Sequence, residues 1–436
     1  MQKRTALLEW PRNDYITLSL RRAFAAVLPA WSVVEQSEQL QGRNPDLQFS
    51  DYDLLDWDTG MQRGNMLSSY VIRKSSVPLH FQLLLKIKCI LLLALHFVTR
   101  TDGLMVTNRL IRKNHLSHTI SLYLAKNPTS ILSSTIPKSS LFSLSFPDEL
   151  DELLLDDLYE LNESFLKNEE KEAGERKWFI LKPALADRGN GIRLFSSREE
   201  LEGIFEEFQE DSDDEEEEEE EGKNTTVNAS QMREWVVQVR PSSLTRHSLT
   251  LRPQEYLSKP LLLDPLPSRN EVPTKFHLRV YVVAVGALKV YVHHPFLALF
   301  APTAYEFPPT TTESGSINIA PHLTNTCLQS PSLPSSEIVV TTLPSLTTHE
   351  ILAGPNKGTK FTLEQVAMIE SAVGEVVAET FRAGVSSGSG FQCLPNVFEI
   401  FGVDFLVDER FEVSLLEINA VRLLPLYNRT HLADVA

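Results

Sequence analysis

The chain has 436 residues, 42% apolar and 23% charged, the composition of an ordinary globular protein long enough to bury one large core or two to three lobes. Its three cysteines, Cys89, Cys327 and Cys393, have neither metal-type spacing nor the number for a disulfide framework, which points to a reducing compartment. The net charge of −17 argues against a broadly basic nucleic-acid binder, although 13 acidic residues fall in the single run 206–221 and leave only −4 for the rest.

The first thirty residues alternate charge and hydrophobicity around Asp14 and lack the apolar centre of a signal peptide. Residues 1 to about 74 mix short helical and strand patterns and close with "SSYVIRK". In residues 75–108 the apolar part is broken by Lys86 and Lys88, so "CILLLALHFV" is too short to span a membrane. A Pro- and Ser-rich stretch, 127–149, marks a loop or a connection between lobes. "KWFILKPALADRGNGIRLF" (177–195) reads as strand, glycine-containing loop and strand, and "SREELEGIFEEF" (197–208) as a helix capped by its serine. The acidic run 206–221 repels itself and is expected to form a disordered surface loop. A contact segment for a basic partner is the other reading.

The strand "EWVVQ" comes next, followed by "EYLSKPLLLDP" and by "KFHLRVYVVAVGALKVYVHHPFLALF", which predicts a hairpin turning near Gly286. A Thr-, Ser- and Pro-rich connection, 301–350, leads into the helix "TLEQVAMIESAVGEVVAETFRAG". Thr362 is its expected cap, Gln365 reaches back to it, and Gly384 terminates it. The last patterned stretch, "FGVDFLVDERFEVSLLEINA" (401–420), predicts two strands around "DERF". With the turn centred between Arg410 and Phe411, Asp404 faces Glu417, and Asn419 shares their face.

Two carboxylates among apolar neighbours repel, and one takes up a proton unless a hard cation with oxygen ligands, most simply Mg2+, lies between them. A hairpin with solvent-facing carboxylates is the alternative. In "KPALADRGNGI", Gly189 and Gly191 free a loop whose N–H groups can approach phosphate oxygens, and Lys182 can supply charge. A plain hairpin gives the same local pattern.

The order of these pieces is informative: "YVIRK", "KPALADRGNGI", "EYLSKPLLLDP", "KFHLRVYVV", "HLTNTCLQ" and "FEIFGVDFLVD…LLEINA", from about 68 to 420. Together they resemble the tubulin–tyrosine ligase family, particularly its fungal branch, within the ATP-grasp superfamily. The resemblance implies an α/β fold of the α+β type, with antiparallel sheets and helices in about three lobes and ATP between two of them. The lobes are expected at 1–126, 177–260 and 261–436, with 127–176 connecting the first two and 206–230 an acidic loop.

Carried over residue by residue, the resemblance places Lys74, Lys182, Lys275 and Arg279 on phosphates or on an acyl phosphate. It places adenine at backbone groups near Gln238, Glu255 and Leu257, Gly189 and Gly191 beside the nucleotide, and Mg2+ on Asp404, Glu417 and Asn419. Asn325 lies near the reacting carboxylate. His277 falls in the ATP-binding set where Asp is common in the family, and "VHHPFLALF" lacks arginines that tubulin–tyrosine ligase carries there. Both departures bear on the acceptor more than on ATP.

The implied protein is a cytoplasmic, monomeric, ATP- and Mg2+-dependent ligase without membrane or nucleic-acid partners. It joins an amino acid, tyrosine or similar, to the C-terminal carboxylate of a protein such as tubulin through an acyl phosphate. The rivals are ligation onto another peptide or small-molecule carboxylate, and a catalytically impaired nucleotide-binding scaffold.

Three segments interrupt the family pattern: 75–108, 239–254 and "VRLLPLYNRTHLADVA" after residue 420. Two of them open on Val-Arg, which GTACGT-like codons resembling the start of a fungal intron encode. All three are therefore read as translated introns, the last expected to have cut the chain short. Genuine surface loops are the competing reading.

Overall fold

In a computed structural model the described residues are 4–9, 21–49 apart from 23 and 27, 67–70, 108–137, 142–144, 149–183 apart from 157, 173 and 174, 192–213, 249–265, 271–285, 288–307, 318–324, 339–391 and 397–420. Near the N-terminus β1 (Thr5–Leu7), β2 (Ser32–Val34), β3 (Leu47–Gln48) and β4 (Leu67–Tyr70) pair in parallel, in the order β4-β3-β1-β2. A separate four-stranded antiparallel sheet contains β5 (Phe142–Leu144), β6 (Phe179–Pro183), β7 (Arg193–Phe195) and β8 (Leu249–Glu255), in the order β5-β8-β6-β7.

After β8 come β9 (Leu262–Leu263), β10 (Thr274–Val285), β11 (Lys289–Val292), β12 (Leu297–Phe300), β13 (Val340–Thr342), β14 (Val397–Val407) and β15 (Val413–Ala420). Every residue of β10 is buried. This strand is the spine of an eleven-stranded sheet that also takes in the N-terminal strands, because β14 pairs in parallel with β4. The sheet is antiparallel around β10, as expected, and gains parallel pairing where the N-terminal strands join it. The stretch 275–300 also holds more than one hairpin. β11 returns along residues 282–285 of β10, and β12 pairs separately with residues 276–279.

One face of the large sheet packs on the helices Lys113–Lys126 and Leu363–Ser386, with Val280, Val282, Phe401, Val403 and Ile418 against Ile120, Ile369, Val373 and Phe381. The long helix has the expected capping box, in which Thr362 Oγ1 accepts from Gln365 N–H and Gln365 Oε1 accepts from Thr362 N–H. Gly384 does not end it. A Cβ there would sit 3.4 Å from Leu110 and Phe391, so this glycine serves close packing, and Gly388, at φ +75°, lies just past the helix end.

The helix Arg198–Asp213 starts where the serine predicted it, with Glu200 N–H on Ser197 Oγ, but runs five residues past the expected end at 208. The first part of the acidic run is thus helical, in keeping with the good helix propensity of Glu. Among the described residues no helix is long and apolar enough to cross a membrane.

Segment 256–263 ties the two sheets together. Tyr256 N–H donates to Trp178 O on the small sheet, while Leu261 N–H donates to Val407 O and β9 pairs with Thr274 and Lys275 on the large one. Of the expected insertion 239–254, the last six residues belong to β8, which pairs with β6 from Pro183↔Leu251 to Phe179↔Glu255. The expected strand "EWVVQ" lies outside the described residues, as do segment 75–107 and residues 421–436.

Candidate functional site

Alternation along β10 puts Lys275, His277, Arg279 and Tyr281 on the face opposite the helices, and the strand register does the rest. Arg279 pairs with Asp404 on β14, and Asp404 pairs with Glu417 on β15, so three ionisable side chains stand in a row across three strands. The route to that register differs from expectation. From Val407↔Val413 to Phe405↔Leu415 the hairpin is centred on Arg410, and a β-bulge between Asp404 and Phe405 then admits Leu416 as an extra residue on β15. The bulge lets Leu415 and Ile418, three apart, both enter the core, and it turns Glu417 towards the row.

Arg279 clamps Asp404 with two hydrogen bonds, Nε to Oδ1 at 2.5 Å and a terminal nitrogen to Oδ2 at 2.9 Å. Its guanidinium lies over Gly402, where a Cβ would meet it at 3.2 Å. Asn419 Nδ2 bridges the carboxylates, 3.1 Å from Asp404 Oδ2 and 3.0 Å from Glu417 Oε1. Lys113, in the first turn of its helix, reaches Glu417 Oε2 at 3.4 Å. A cation opposes the dipole at a helix start, so this lysine is placed for its partner, not for its helix.

Burial pushes Asp404 up to about 6 against the pull of Arg279, with Glu417 adding to the rise. Burial also works on Glu417, yet Lys113, the Asn419 hydrogen bond, Lys182 and Arg279 hold it well below the usual carboxylate range. The two carboxylates are therefore driven apart, as coupled like charges are. Lys182, half-buried near the end of β6, adds its charge to the lowering of Glu417.

Lys275 lies deeper between the sheets. Its Nζ sits 4.5 Å from the centre of the Tyr256 ring and donates to Tyr256 Oη at 3.1 Å, and burial lowers it to about 7. Tyr256 Oη in turn meets His322 Nδ1 at 2.8 Å. Trp178, Ile180, Ile192 and Leu194 on the small sheet complete an apolar wall with Tyr256, against which Tyr305 and Leu323 pack. Two buried polar atoms in this lining, Trp178 Nε1 and His322 Nε2, have no hydrogen-bond partner.

His277 Nδ1 is 2.6 Å from Thr324 Oγ1, and its Nε2, unpartnered, is 3.7 Å from Asp404 Oδ1. Burial lowers His277 to about 3, and Arg279 adds to this, so the imidazole is neutral.

The structure thus brings together Lys182, Lys275, His277, Arg279, Asp404, Glu417 and Asn419. Leu257 follows β8 and is half-buried, and Glu255 is described for its backbone, the last residue of that strand. Lys74, Gly189, Gly191, Gln238 and Asn325 lie outside the described residues. Lys113, Tyr256, His322 and Thr324 are members that residue-by-residue reading passed over, although they stand in the strings "LIRKNHLSHTI", "EYL" and "HLTN".

The two carboxylates form a hard donor set that fits a divalent cation such as Mg2+, and the Asn419 amide, which here gives them its nitrogen, would turn its oxygen to the ion. Among the described residues no group of three or more His, Cys, Asp and Glu is gathered as a metal cage.

A model of the tubulin-tyrosine ligase family matches residues 107–421. A probable tubulin–tyrosine ligase of Saccharomyces cerevisiae, PBY1, is 33% identical over 419 residues, covering 93% of this chain and 47% of that protein. The chain therefore spans about half the length of this relative. A probable tubulin–tyrosine ligase of Schizosaccharomyces pombe is 36% identical over 324 residues, 72% of this chain and 69% of the other. Among solved structures, the C-terminal domain of K. lactis Pby1, described as an ATP-grasp enzyme interacting with the mRNA decapping enzyme Dcp2, superposes with a TM-score of 0.56 at 26% identity. It covers 97% of this chain and 88% of that one.

Proposed function

Because the chain belongs to the tubulin–tyrosine ligase family and has the fold of an ATP-grasp enzyme, we propose that it is a cytoplasmic ligase that uses ATP and Mg2+ to join an amino acid to a carboxylate. The acceptor, in the family's manner, is the C-terminal carboxylate of a protein such as tubulin. The observation that carries this reading is the in-register row Arg279–Asp404–Glu417, closed by Asn419 and faced by Lys182 and Lys275.

The reaction has two steps. A carboxylate oxygen attacks the γ-phosphorus and ADP leaves with the bonding electrons, giving an acyl phosphate. An amino group then attacks the carbonyl carbon, phosphate leaves, and the nitrogen gives up its proton to form the amide. Lys182 and Lys275 neutralise phosphate oxygens, with Lys74 assigned to the same task. Gly189 and Gly191 let the backbone approach the phosphates, Arg279 contacts the phosphates or the acyl phosphate formed from them, and Asn325 lies near the reacting carboxylate. Backbone groups at Gln238, Glu255 and Leu257 take the adenine. Bound at Asp404, Glu417 and Asn419, Mg2+ would supply stabilisation of the charge that develops on the transferred phosphoryl group.

The test combines purified chain, Mg2+, ATP, hydroxylamine, an amino-acid mixture and peptides ending in free carboxylates. The expected result is ADP release that depends on an acceptor, with hydroxamate trapped from the acyl phosphate. Glu417→Gln should lower the rate about 100-fold or more, since a neutral amide is a poor ligand for a hard cation.

A second reading draws on the partner named for the K. lactis domain: a nucleotide-binding platform for a decapping enzyme. Binding of Mg2+·ATP with no acceptor-dependent turnover, together with capture of that enzyme, would favour it over the ligase.

A further inference from the structure

The metal-type row has a neighbour that a hard-cation site does not call for. His277 is buried at 3% exposure and carries a ring nitrogen with no hydrogen-bond partner. An orphaned ring nitrogen in a protein interior forfeits a hydrogen bond, so a retained one calls for a partner that arrives later. Asp404 Oδ1 lies 3.7 Å from that nitrogen.

Two donors bound to one ion at about 2.1 Å each stand roughly 3 to 4 Å apart, so this separation is a bite that a single cation can bridge. The other ring nitrogen is already held by Thr324 Oγ1 at 2.6 Å. Metal-binding histidines commonly give their second N–H to such an outer partner, which fixes the tautomer and aims the lone pair.

We propose that His277 Nε2 is a nitrogen ligand of the cation held by Asp404, Glu417 and Asn419, and that it turns this site from Mg2+ towards an ion that accepts imidazole nitrogen more readily, such as Mn2+. The proposal rests on the nucleotide-and-metal reading above. It requires the His277 tautomer that donates Nδ1–H to Thr324, which leaves the lone pair on Nε2. It also requires Arg279 to yield Oδ1 of Asp404, which explains why the described residues do not already form a cage. Imidazole suits Mn2+ better than it suits Mg2+, which prefers an all-oxygen octahedron. An aspartate at this position would supply one more hard oxygen and restore the preference for Mg2+.

The test uses the full chain with Mn2+ and a non-hydrolysable ATP analogue, read by pulsed electron paramagnetic resonance. A directly bound imidazole gives a 14N modulation, which becomes a 15N signal when only the protein's histidines are 15N-labelled. This measurement needs no substitution and is immune to misfolding. In His277→Asp the signal should vanish, and the ratio of Mn2+ to Mg2+ affinity in the nucleotide complex should fall about tenfold. If Mn2+ and nucleotide bind together without a histidine nitrogen, or if the signal survives His277→Asp, the inference is overturned while the nucleotide site stands. If no Mn2+–nucleotide complex forms, both fall.

Discussion

Gly402 shows how narrow the tolerances around the row are. Its missing Cβ is the space in which the Arg279 guanidinium lies, and a methyl group there would come within 3.2 to 3.4 Å of that side chain. Gly402→Ala should leave the sheet intact, because the backbone needs no left-handed angle, yet move Arg279 off Asp404. A loss of about 1 to 2 kcal/mol in folding stability is expected in urea, since the charge-assisted pair is disturbed in a buried setting. Acceptor-dependent ADP release should fall more than that loss accounts for.

Lys275 gives a pH signature. Held near 7 by burial, its amine is neutral in the folded chain and charged in the unfolded chain between pH 7 and about 10.5. The unfolded state binds the extra proton in that window, so stability rises with pH there, by up to about 1.4 kcal/mol per unit. Phosphate oxygens beside Nζ favour the charged form, so binding of Mg2+·ATP at pH 8 should take up close to one proton. Calorimetry in buffers of different ionisation enthalpy would measure it, and Lys275→Met should abolish the uptake while leaving a weaker binding signal.

Residue types told much of this. Two carboxylates and an asparagine at the end of an apolar hairpin were enough to predict a shared face. The pairing Asp404↔Glu417 was reached by assuming a turn between Arg410 and Phe411, whereas the chain turns at Arg410 and gains its offset from the extra Leu416. Periodicity does not reveal a bulge, because one inserted residue changes the face of all that follow it. Gly384 misled for a related reason: a glycine near a helix end fits both a terminator and a packing contact, and only the neighbour Phe391 distinguishes them.

At the scale of elements, the helix Lys113–Lys126 is the piece that local reading undervalued. It carries Lys113 to Glu417, and its far end is fixed to the long helix. Tyr123 Oη donates to Glu379 Oε1 at 2.7 Å, and Ser130 Oγ donates to the same oxygen at 2.9 Å. Tyr123→Phe removes one charge-assisted bond at a partly buried site and should cost about 1 to 2 kcal/mol. Chemical denaturation would read the loss, and nucleotide affinity should weaken alongside it if the helix sets the position of Lys113. A stability loss with unchanged affinity would confine this contact to folding. None of this was legible beforehand, because Tyr123 and Glu379 are 256 residues apart.

At the scale of the whole molecule, the α/β ATP-grasp fold was legible in the motif strings, but the continuity of the large sheet from β2 to β13 was not, since it depends on β4 joining β14 in parallel. The small sheet raises a sharper question. β8 lies between β5 and β6 and contains Pro253, which has no N–H to give. Deleting 239–254 would bring Gln238 directly before Glu255, so that "REWVVQ" inherits the register now held by "LTLRPQ". The exchange trades a proline for valine in a sheet interior, and the shortened chain should melt several degrees higher. A lower melting temperature would make the segment an integral strand, and a transcript retaining its coding sequence would agree.

Segment 256–263, bonded to Trp178 on one side and to Val407 on the other, is the axle about which any rotation of the two sheets would turn. On the proposed reading the adenine lies against this axle, at Glu255 and Leu257, whereas the phosphates run from Lys275, beside Tyr256, out along the arms towards Lys182 and the metal ligands Asp404 and Glu417. Rotation about an axle moves nearby points little and distant points far. Such a rotation would shift the base least and the phosphates farthest from the axle most. Adenosine should bind without distinguishing open from closed, and the triphosphate alone should carry the leverage to shut the jaws.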